Sequence, residues 1–460
     1  MAKDNSSLPV VTFEEFMLAG DTPAFPMSFV FEFELDGHVD ETILNHAIKR
    51  CVSRHPLLFS ILDQSKKRWQ FRPDLAPSVG FDDYDSALRF DLKTEVGLRV
   101  VVSTTDQGRQ RIGFVFHHAC SDGLGALGFI RDFAQSCSGN SATSDDSFSQ
   151  SASSSIDYLR RSRNSYGGKR LLHLLRWPID LLGMSWSLEM ILHRPASISP
   201  VPTPNPREVG GVDVDTMESS CGHSSNTSNI DAVLTPDESA RARQLSKSAS
   251  QTLNDRVMFA WFMAIEDWFT KYNPEKSGSL IRLMVPMNLR NQASRSAANM
   301  VAIVNFDRKV GRWNSVRRFQ KILKIEMQVV KRLRAGVIAN RYLQLQKLIL
   351  GSWPMQTDRN RCVASCFVSN FGDISRLLAE RPGHSFQFGN VLAVKFRAIT
   401  PLRPNTNVFV SLFSFKKRLN FGLTYNANVL NETQARFLLD GALRHLLTDE
   451  FELHSIAQKQ

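Results

Sequence analysis

This 460-residue sequence has no hydrophobic run long enough to cross a membrane. Its longest apolar stretch, around Leu171–Leu192, is broken by His173, Arg176, Pro178, Asp180 and Glu189, whereas a spanning helix needs about 20 largely apolar residues. The opening Met1–Ser6 is polar, with no apolar segment before a small-residue cleavage site, so no secretory leader is expected. Cysteine is sparse. Cys51, Cys120, Cys137, Cys221, Cys362 and Cys366 are scattered, without metal-ligand pairing or a disulfide framework, and read as reduced thiols in a cytoplasmic protein. Despite a net charge of +11, no basic stripe alternates with exposed aromatics, so nucleic acid is not an expected partner. The positive charge gathers at Arg160–Arg176 and Lys321–Arg334, which suits an anionic ligand or peripheral contact with a membrane surface.

What is present is a globular composition, 42% hydrophobic and 22% charged, in a chain long enough for two domains. Two stretches punctuate it. Ser136–Ser155 is half serine and reads as a loop, and Pro195–Ser228, rich in Pro, Gly and Ser, reads as a linker. The expected organisation is therefore 1–194, a crossover at 195–228, and 229–460. In the first part, strands are expected at Ala24–Leu35, Leu57–Leu62, Arg68–Phe71, Leu98–Thr104 and Arg111–His117, with helices from the Asp40 cap to Cys51 and over Leu124–Phe133. In the second, Thr235-Pro236-Asp237-Glu238 is a capping-box helix start with proline at the first helical position. A long helix is expected at Asp255–Phe269, further helices at Asn314–Leu333, Asn340–Leu350 and Glu432–Leu447, and strands at Ser228–Leu234, Leu280–Met287, Met300–Asp307, Val363–Ser369, Val391–Ala398, Asn407–Phe415 and Arg418–Tyr425. Strands and helices are interspersed without βαβ regularity, which points to the α+β class. Tyr166–His193 carries a broad apolar surface flanked by Lys169, Arg170 and Arg176, readable as a helix pair or an interfacial element.

The chemistry concentrates in His117-His118-Ala119-Cys120-Ser121-Asp122-Gly123, at the end of the apolar strand Ile112–Phe116. Side chains alternate along a strand, so Phe114, Phe116 and His118 share one face while Val115 and His117 share the other. One histidine of the pair can face a given cavity. Two histidines and an aspartate form a poor metal site here, because neighbouring strand histidines diverge and no further ligand cluster lies close by. A core histidine pair beside a turn aspartate is the bland reading. A general base at a strand end is the chemical one, since imidazole exchanges protons near neutral pH.

The run His-His-x-x-x-Asp-Gly after an apolar strand resembles the signature of the chloramphenicol acetyltransferase-like, condensation-domain superfamily. Other stretches fall in that group's order: Arg54-His55-Pro56-Leu57-Leu58, Asn254-Asp255, Met284-Val285-Pro286-Met287-Asn288-Leu289-Arg290, Asn299-Met300-Val301 and Ser369-Asn370-Phe371-Gly372. They look nearest to the bacterial wax ester synthase/diacylglycerol acyltransferase and alcohol acyltransferase branches. An Asp-Phe-Gly-Trp-Gly run is missing, which argues against the plant-type branch, and no flanking carrier-protein or adenylation segment is expected.

The resemblance implies two similar CoA-dependent-acyltransferase-like α+β domains, each a mixed sheet with helices, packed as a V around a central channel. It implies transfer of an acyl group from a thioester, acyl-CoA or an acyl carrier protein, to a small or lipid-like alcohol, with no bound cofactor and no metal. His118 would be the base, with His117 structural. Asp122 would anchor the loop through an ion pair, with Arg290 or Arg54 as partner. Gly123 would let backbone approach closely and offer an N–H to the oxyanion. Ser369 and Asn370 would supply a polar contact there, or merely cap a turn. Asn254 and Asp255 would be a family motif, a helix cap, or both. Cys120 as a nucleophile is disfavoured, for it lies mid-loop without an orienting base. A stand-alone amide-forming condensation enzyme and a silent binding protein of the same fold are the competing readings.

Overall fold

The structure, a computed structural model, describes residues 7–80, 88–138, 193–200, 227–290, 297–310, 315–332, 347, 362–378 and 385–448. Apart from Lys347 and His193, the expected helix at Asn340–Leu350 and the apolar segment Tyr166–His193 lie outside these residues, as do most of the two punctuating stretches.

The first lobe opens with β1 (Ser7–Pro9), α1 (Thr12–Gly20), β2 (Ser28–Leu35) and α2 (Glu41–Cys51). It continues through β3 (Ser60–Asp63), β4 (Arg68–Phe71), β5 (Val79–Gly80), β6 (Leu98–Thr104), β7 (Gln110–His117) and α3 (Gly123–Cys137). The second runs through β8 (Thr227–Val233), α4 (Pro236–Ser248), α5 (Leu253–Tyr272), β9 (Ile281–Asn288), β10 (Val301–Arg308), α6 (Val316–Arg332), β11 (Cys366–Asp373) and α7 (Ile374–Leu378). The chain closes with β12 (Gln387–Phe388), β13 (Val391–Ile399), β14 (Val408–Phe415), β15 (Arg418–Asn426) and α8 (Glu432–Leu447).

Two six-stranded mixed sheets result, in the orders β12-β13-β2-β7-β6-β5 and β10-β9-β11-β14-β15-β8, with β1-β4-β3 forming a small third sheet. The architecture is α+β with two similar lobes. The order departs from the expectation that 229–460 is self-contained. β13 leaves the second lobe and pairs antiparallel with β2, Phe396 opposite Phe33 and Ala398 opposite Phe31. The reason is apolar. Phe396 packs at 4.8 Å on Phe33 and 5.3 Å on Phe31, so its burial is completed by the first lobe's phenylalanine cluster. No local pattern in Val391–Ile399 announces which sheet will take it.

Each lobe has its own core. Phe31, Phe33, Phe114, Phe116, Phe129 and Phe133 fill the first, and α5, with Trp261 and Trp268 fully buried, runs through the second. A helix that is apolar around most of its surface must be enclosed, and α5 is covered by α4, α6 and α8. Its start is a reciprocal cap: Thr252 Oγ1 accepts from the Asp255 N–H at 3.2 Å, and Asp255 Oδ2 accepts from the Thr252 N–H at 2.9 Å. The cap at Thr235 and Glu238 forms likewise.

Three local expectations shift. Leu57–Leu62 is a strand only from Ser60, because Leu58 and Phe59 donate back to His55 and Pro56 in turns. The helix after Asp122 runs on to Cys137, taking two residues of the serine-rich stretch. Ser369–Gly372 is not a turn but strand β11, bulged between Asn370 and Gly372 where it pairs with β14. α1 carried no strong periodic signal. It is held by Glu14, whose Oε2 accepts from the Val11 N–H at 3.0 Å and from Trp69 Nε1 at 2.8 Å.

Candidate functional site

Between the sheets lies a cavity of about 90 Å³ lined by both lobes. The first contributes Phe13, Met17, Met27, Phe29, His118, Asp122 and Gly123, and the second Pro286, Val301, Ile303, Phe367, Ser369, Phe371 and Phe409. Thr400, Pro401 and Arg403 come from the crossover between β13 and β14.

The alternation argument holds in three dimensions. His118 faces this cavity, its ring edge-on to Phe29 at 5.1 Å. Its backbone N–H donates to Met27 O at 2.7 Å, continuing the β2–β7 ladder one residue past the strand. His117 points the other way and is fully buried. Its Nδ1 accepts from the Ala119 N–H at 3.1 Å, and its Nε2 lies 3.2 Å from Asp21 Oδ2. Asp21 Oδ1 in turn accepts from the Met27 N–H at 2.8 Å, so His117 braces the segment that pairs with His118.

Asp122 is fully engaged. Its Oδ1 accepts from the Gly125 N–H at 2.9 Å as the cap of α3, and its Oδ2 accepts from Arg290 Nη1 at 2.6 Å and the Met300 N–H at 2.8 Å. Arg290 also donates to Ala298 O. Of the two candidate arginines, Arg290 is the partner, and Arg54 sits exposed in a turn after α2. Asn299, from the same segment, donates through Nδ2 to His118 O and Ala119 O, both at 2.8 Å. The loop bearing His118 is thus held mainly by residues about 170 to 180 positions downstream. Gly123 is required by packing: a Cβ there would lie 2.5 Å from Phe371 Cε1 of the opposite lobe.

Burial pushes the His118 pKa down to about 4, with the nearby Arg403 and His117 adding to the effect, while its own backbone carbonyl and Asp122 oppose it. The imidazole is therefore neutral at physiological pH, with a lone pair to accept a proton. Its Nδ1 is buried and has no hydrogen-bond partner among the described residues. Arg403 carried no sequence signal, because an isolated arginine in a Pro-Leu-Arg-Pro stretch says nothing about burial. Asn299 was visible only as a neighbour of a strand.

Other expected residues fall outside the cavity lining. Asn370 folds back to accept from the Gly372 N–H at 2.9 Å and reaches Asn254 Oδ1 at 3.5 Å. Asn254 and Asp255 sit at the α5 cap. Ser369 alone of its pair lines the cavity. Cys120 is wholly buried behind the loop. Among the described residues no cluster of three or more His, Cys, Asp or Glu side chains could hold a metal, and no helix is long and apolar enough to cross a membrane.

Residues 95–316, which contain β6, β7, the His118 loop and Arg290, match the alcohol acetyltransferase family model. The whole fold is similar to a trichothecene 15-O-acetyltransferase from Fusarium sporotrichioides, with 12% identity over 96% of both chains and a TM-score of 0.68. The chain's fold is that of the acetyltransferase and condensation-domain structures it resembles. The chain is also similar to the condensation domain of a monacolin K polyketide synthase, with 11% identity over 96% of both chains and a TM-score of 0.64. It matches a nonribosomal peptide synthetase, FmoA3, at 14% identity and a TM-score of 0.66, covering 98% of its own length and 43% of that chain. The chain thus spans under half the length of the synthetases it matches. No curated protein matches it by sequence.

Proposed function

We propose that this protein is an acyltransferase that moves an acyl group from a thioester to an alcohol by direct transfer, with His118 as general base. The observation that carries the reading is a neutral His118 facing an inter-lobe cavity while Asp122, the nearest carboxylate on the loop, is taken up by Arg290. A neutral imidazole carries a proton on one ring nitrogen and keeps a lone pair on the other, which is what the acceptor needs. The acceptor hydroxyl gives His118 its proton as its oxygen attacks the thioester carbonyl. The C–S bond then breaks, and the proton passes from His118 to the departing thiolate, leaving ester and thiol. Such base catalysis is worth roughly 10²–10⁴-fold. The Gly123 N–H opens α3 and has no acceptor within the helix, so it is available to the oxyanion, with Ser369 Oγ on the other side of the cavity as a second donor.

The alcohol acetyltransferase match favours an ester product. Likeness to condensation domains keeps amide formation as the second reading, and with it an acyl carrier protein as alternative donor to acyl-CoA. The test is thiol release from a panel of acyl-CoAs and acylated carrier protein with mixed alcohols and amines, comparing wild type with His118→Ala. Release by wild type and its loss in the variant support the reading. Equal release by both, or none with any donor, defeats it and favours a silent binding protein.

A further inference from the structure

Strand alternation gives the second sheet two faces with different company. Cys366, Val368, Val408 and Val410 point into the core that surrounds α5. Phe367 and Phe409 lie between them in the chain and so leave by the opposite face, where both line the inter-lobe cavity. They are register partners on the parallel strands β11 and β14. Their rings stack with centres 5.3 Å apart and planes 6° from parallel. The pair belongs to a small apolar cluster with Met284, Ala364, Val363 and Ile303, all from the second lobe. Ile303 is where this cluster meets the first lobe's core. Phe409 stays partly exposed.

Covering such a surface is favourable, yet among the described residues no first-lobe side chain joins the cluster. The polar groups at its border are engaged elsewhere. Thr424, opposite Phe409 on β15, donates to Asn229 Oδ1 at 3.0 Å and accepts from the Thr400 N–H and hydroxyl at 3.3 and 3.1 Å. Ser369 is the next side chain on this face of β11, about 7 Å further along the strand, and Phe371 beyond it meets Gly123. The stacked pair therefore lies a short chain's length from the His118 loop. Its faces suit a hydrocarbon and offer no hydrogen bond to a hydroxyl or an anion. Size adds a bound. An apolar cavity of about 150 Å³ takes a benzene ring, so about 90 Å³ suits about three or four carbons.

We propose that the Phe367–Phe409 pair is a hydrocarbon subsite that sets the chain length of the substrate, on either the acyl group or the alcohol. The inference rests on the acyl-transfer reading above and names the residues that choose among its substrates.

Two arms separate the sources. In the donor arm, acetyl-, propionyl-, butanoyl-, hexanoyl- and octanoyl-CoA are compared, with ethanol as acceptor. In the acceptor arm, ethanol, propan-1-ol, butan-1-ol, hexan-1-ol and octan-1-ol are compared, with acetyl-CoA as donor. In one arm wild-type kcat/KM should rise about fourfold per methylene, which is about 0.8 kcal/mol at about 1.4 kcal/mol per factor of ten. The rise should stop at about four carbons. Phe409→Ala should flatten the rise over the short members and move the optimum to a longer chain, since the lost ring leaves room. Phe367→Ala should do the same, and Phe409→Leu should keep most of the wild-type profile. A flat wild-type series in both arms, one that climbs unbroken to eight carbons, or an unshifted optimum in Phe409→Ala overturns the proposal. The wild-type series decides even if a variant fails to fold. Saturation-transfer NMR with butan-1-ol and methyl butanoate reads the subsite without turnover. Contact that Phe409→Ala abolishes, in a protein that turns nothing over, supports the subsite and counts against the transferase reading. Turnover that ignores chain length does the opposite.

Discussion

The His117–Gly123 loop and the Ala297–Met300 segment meet across the lobes, and they divide the work. The first carries the reactive group but makes few contacts that would hold it in place. The second, with Arg290 just before it in sequence, carries no reactive group, yet Asn299 and the Met300 N–H, together with Arg290, fix the loop's carbonyls and its aspartate. A base must be placed to within a fraction of an ångström, and a short loop leaving a strand end cannot do this alone. The comparison teaches that chemistry and positioning come from different lobes, so damage to either should look different.

The largest effect expected is His118→Ala, which should lower kcat by about 10²–10⁴-fold with little change in thermal midpoint. His117→Ala should do the reverse, losing stability through its Asp21 and Ala119 contacts while keeping most activity. Equal losses in kcat would dissolve the distinction between the two histidines. Next comes the inter-lobe ion pair. Asp122 and Arg290 side chains are 5% and 7% exposed, and stranding one member of a buried pair costs roughly 3–5 kcal/mol. Arg290→Ala should therefore unfold early in urea, and Asp122→Ala/Arg290→Ala should cost far less than the sum of the single changes. Additive losses would show that the two do not act as a pair.

Gly123→Ala should destabilise by about 1–3 kcal/mol through overpacking against Phe371, and a second change, Phe371→Leu, should recover part of it. No recovery would place the strain elsewhere.

The pH response is the finest probe. His118 is neutral when folded down to about 4 but takes a proton near 6.5 once unfolded. The unfolded chain then binds more protons between those values, so stability is complete above 6.5 and is lost as pH falls toward about 4. Denaturation midpoints across that window should slope for wild type and flatten in His118→Ala. The kcat/KM should stay level through the mildly acidic range and fall only through about 4. A limb near 6.5 would mean that burial does not depress this histidine.

Much of this was legible in the order of residues. Alternation along Gln110–His117 separates His118 from His117, because a strand has a strict two-residue period. The caps at Thr235 and Thr252 are local hydrogen-bond patterns, readable wherever they occur. Arg290 could be named as a candidate but not chosen over Arg54, since selection depends on which lies across the lobe junction. Ser369 and Asn370 are neighbours with opposite fates, one lining the cavity and one turned back to Gly372, because adjacent residues of a strand face opposite sides.

By itself, then, the sequence determined the elements that depend on nearest neighbours: the alternating strands, the capped helices, and the histidine that faces inward at a strand's end. Tertiary structure alone decided that β13 belongs to the first sheet, that Arg290 and Asn299 hold the loop, and that Arg403 enters the cavity. Each of these joins residues far apart in the chain, and the energies that choose among such pairings, apolar burial and charge desolvation, depend on the enclosed space rather than on sequence spacing.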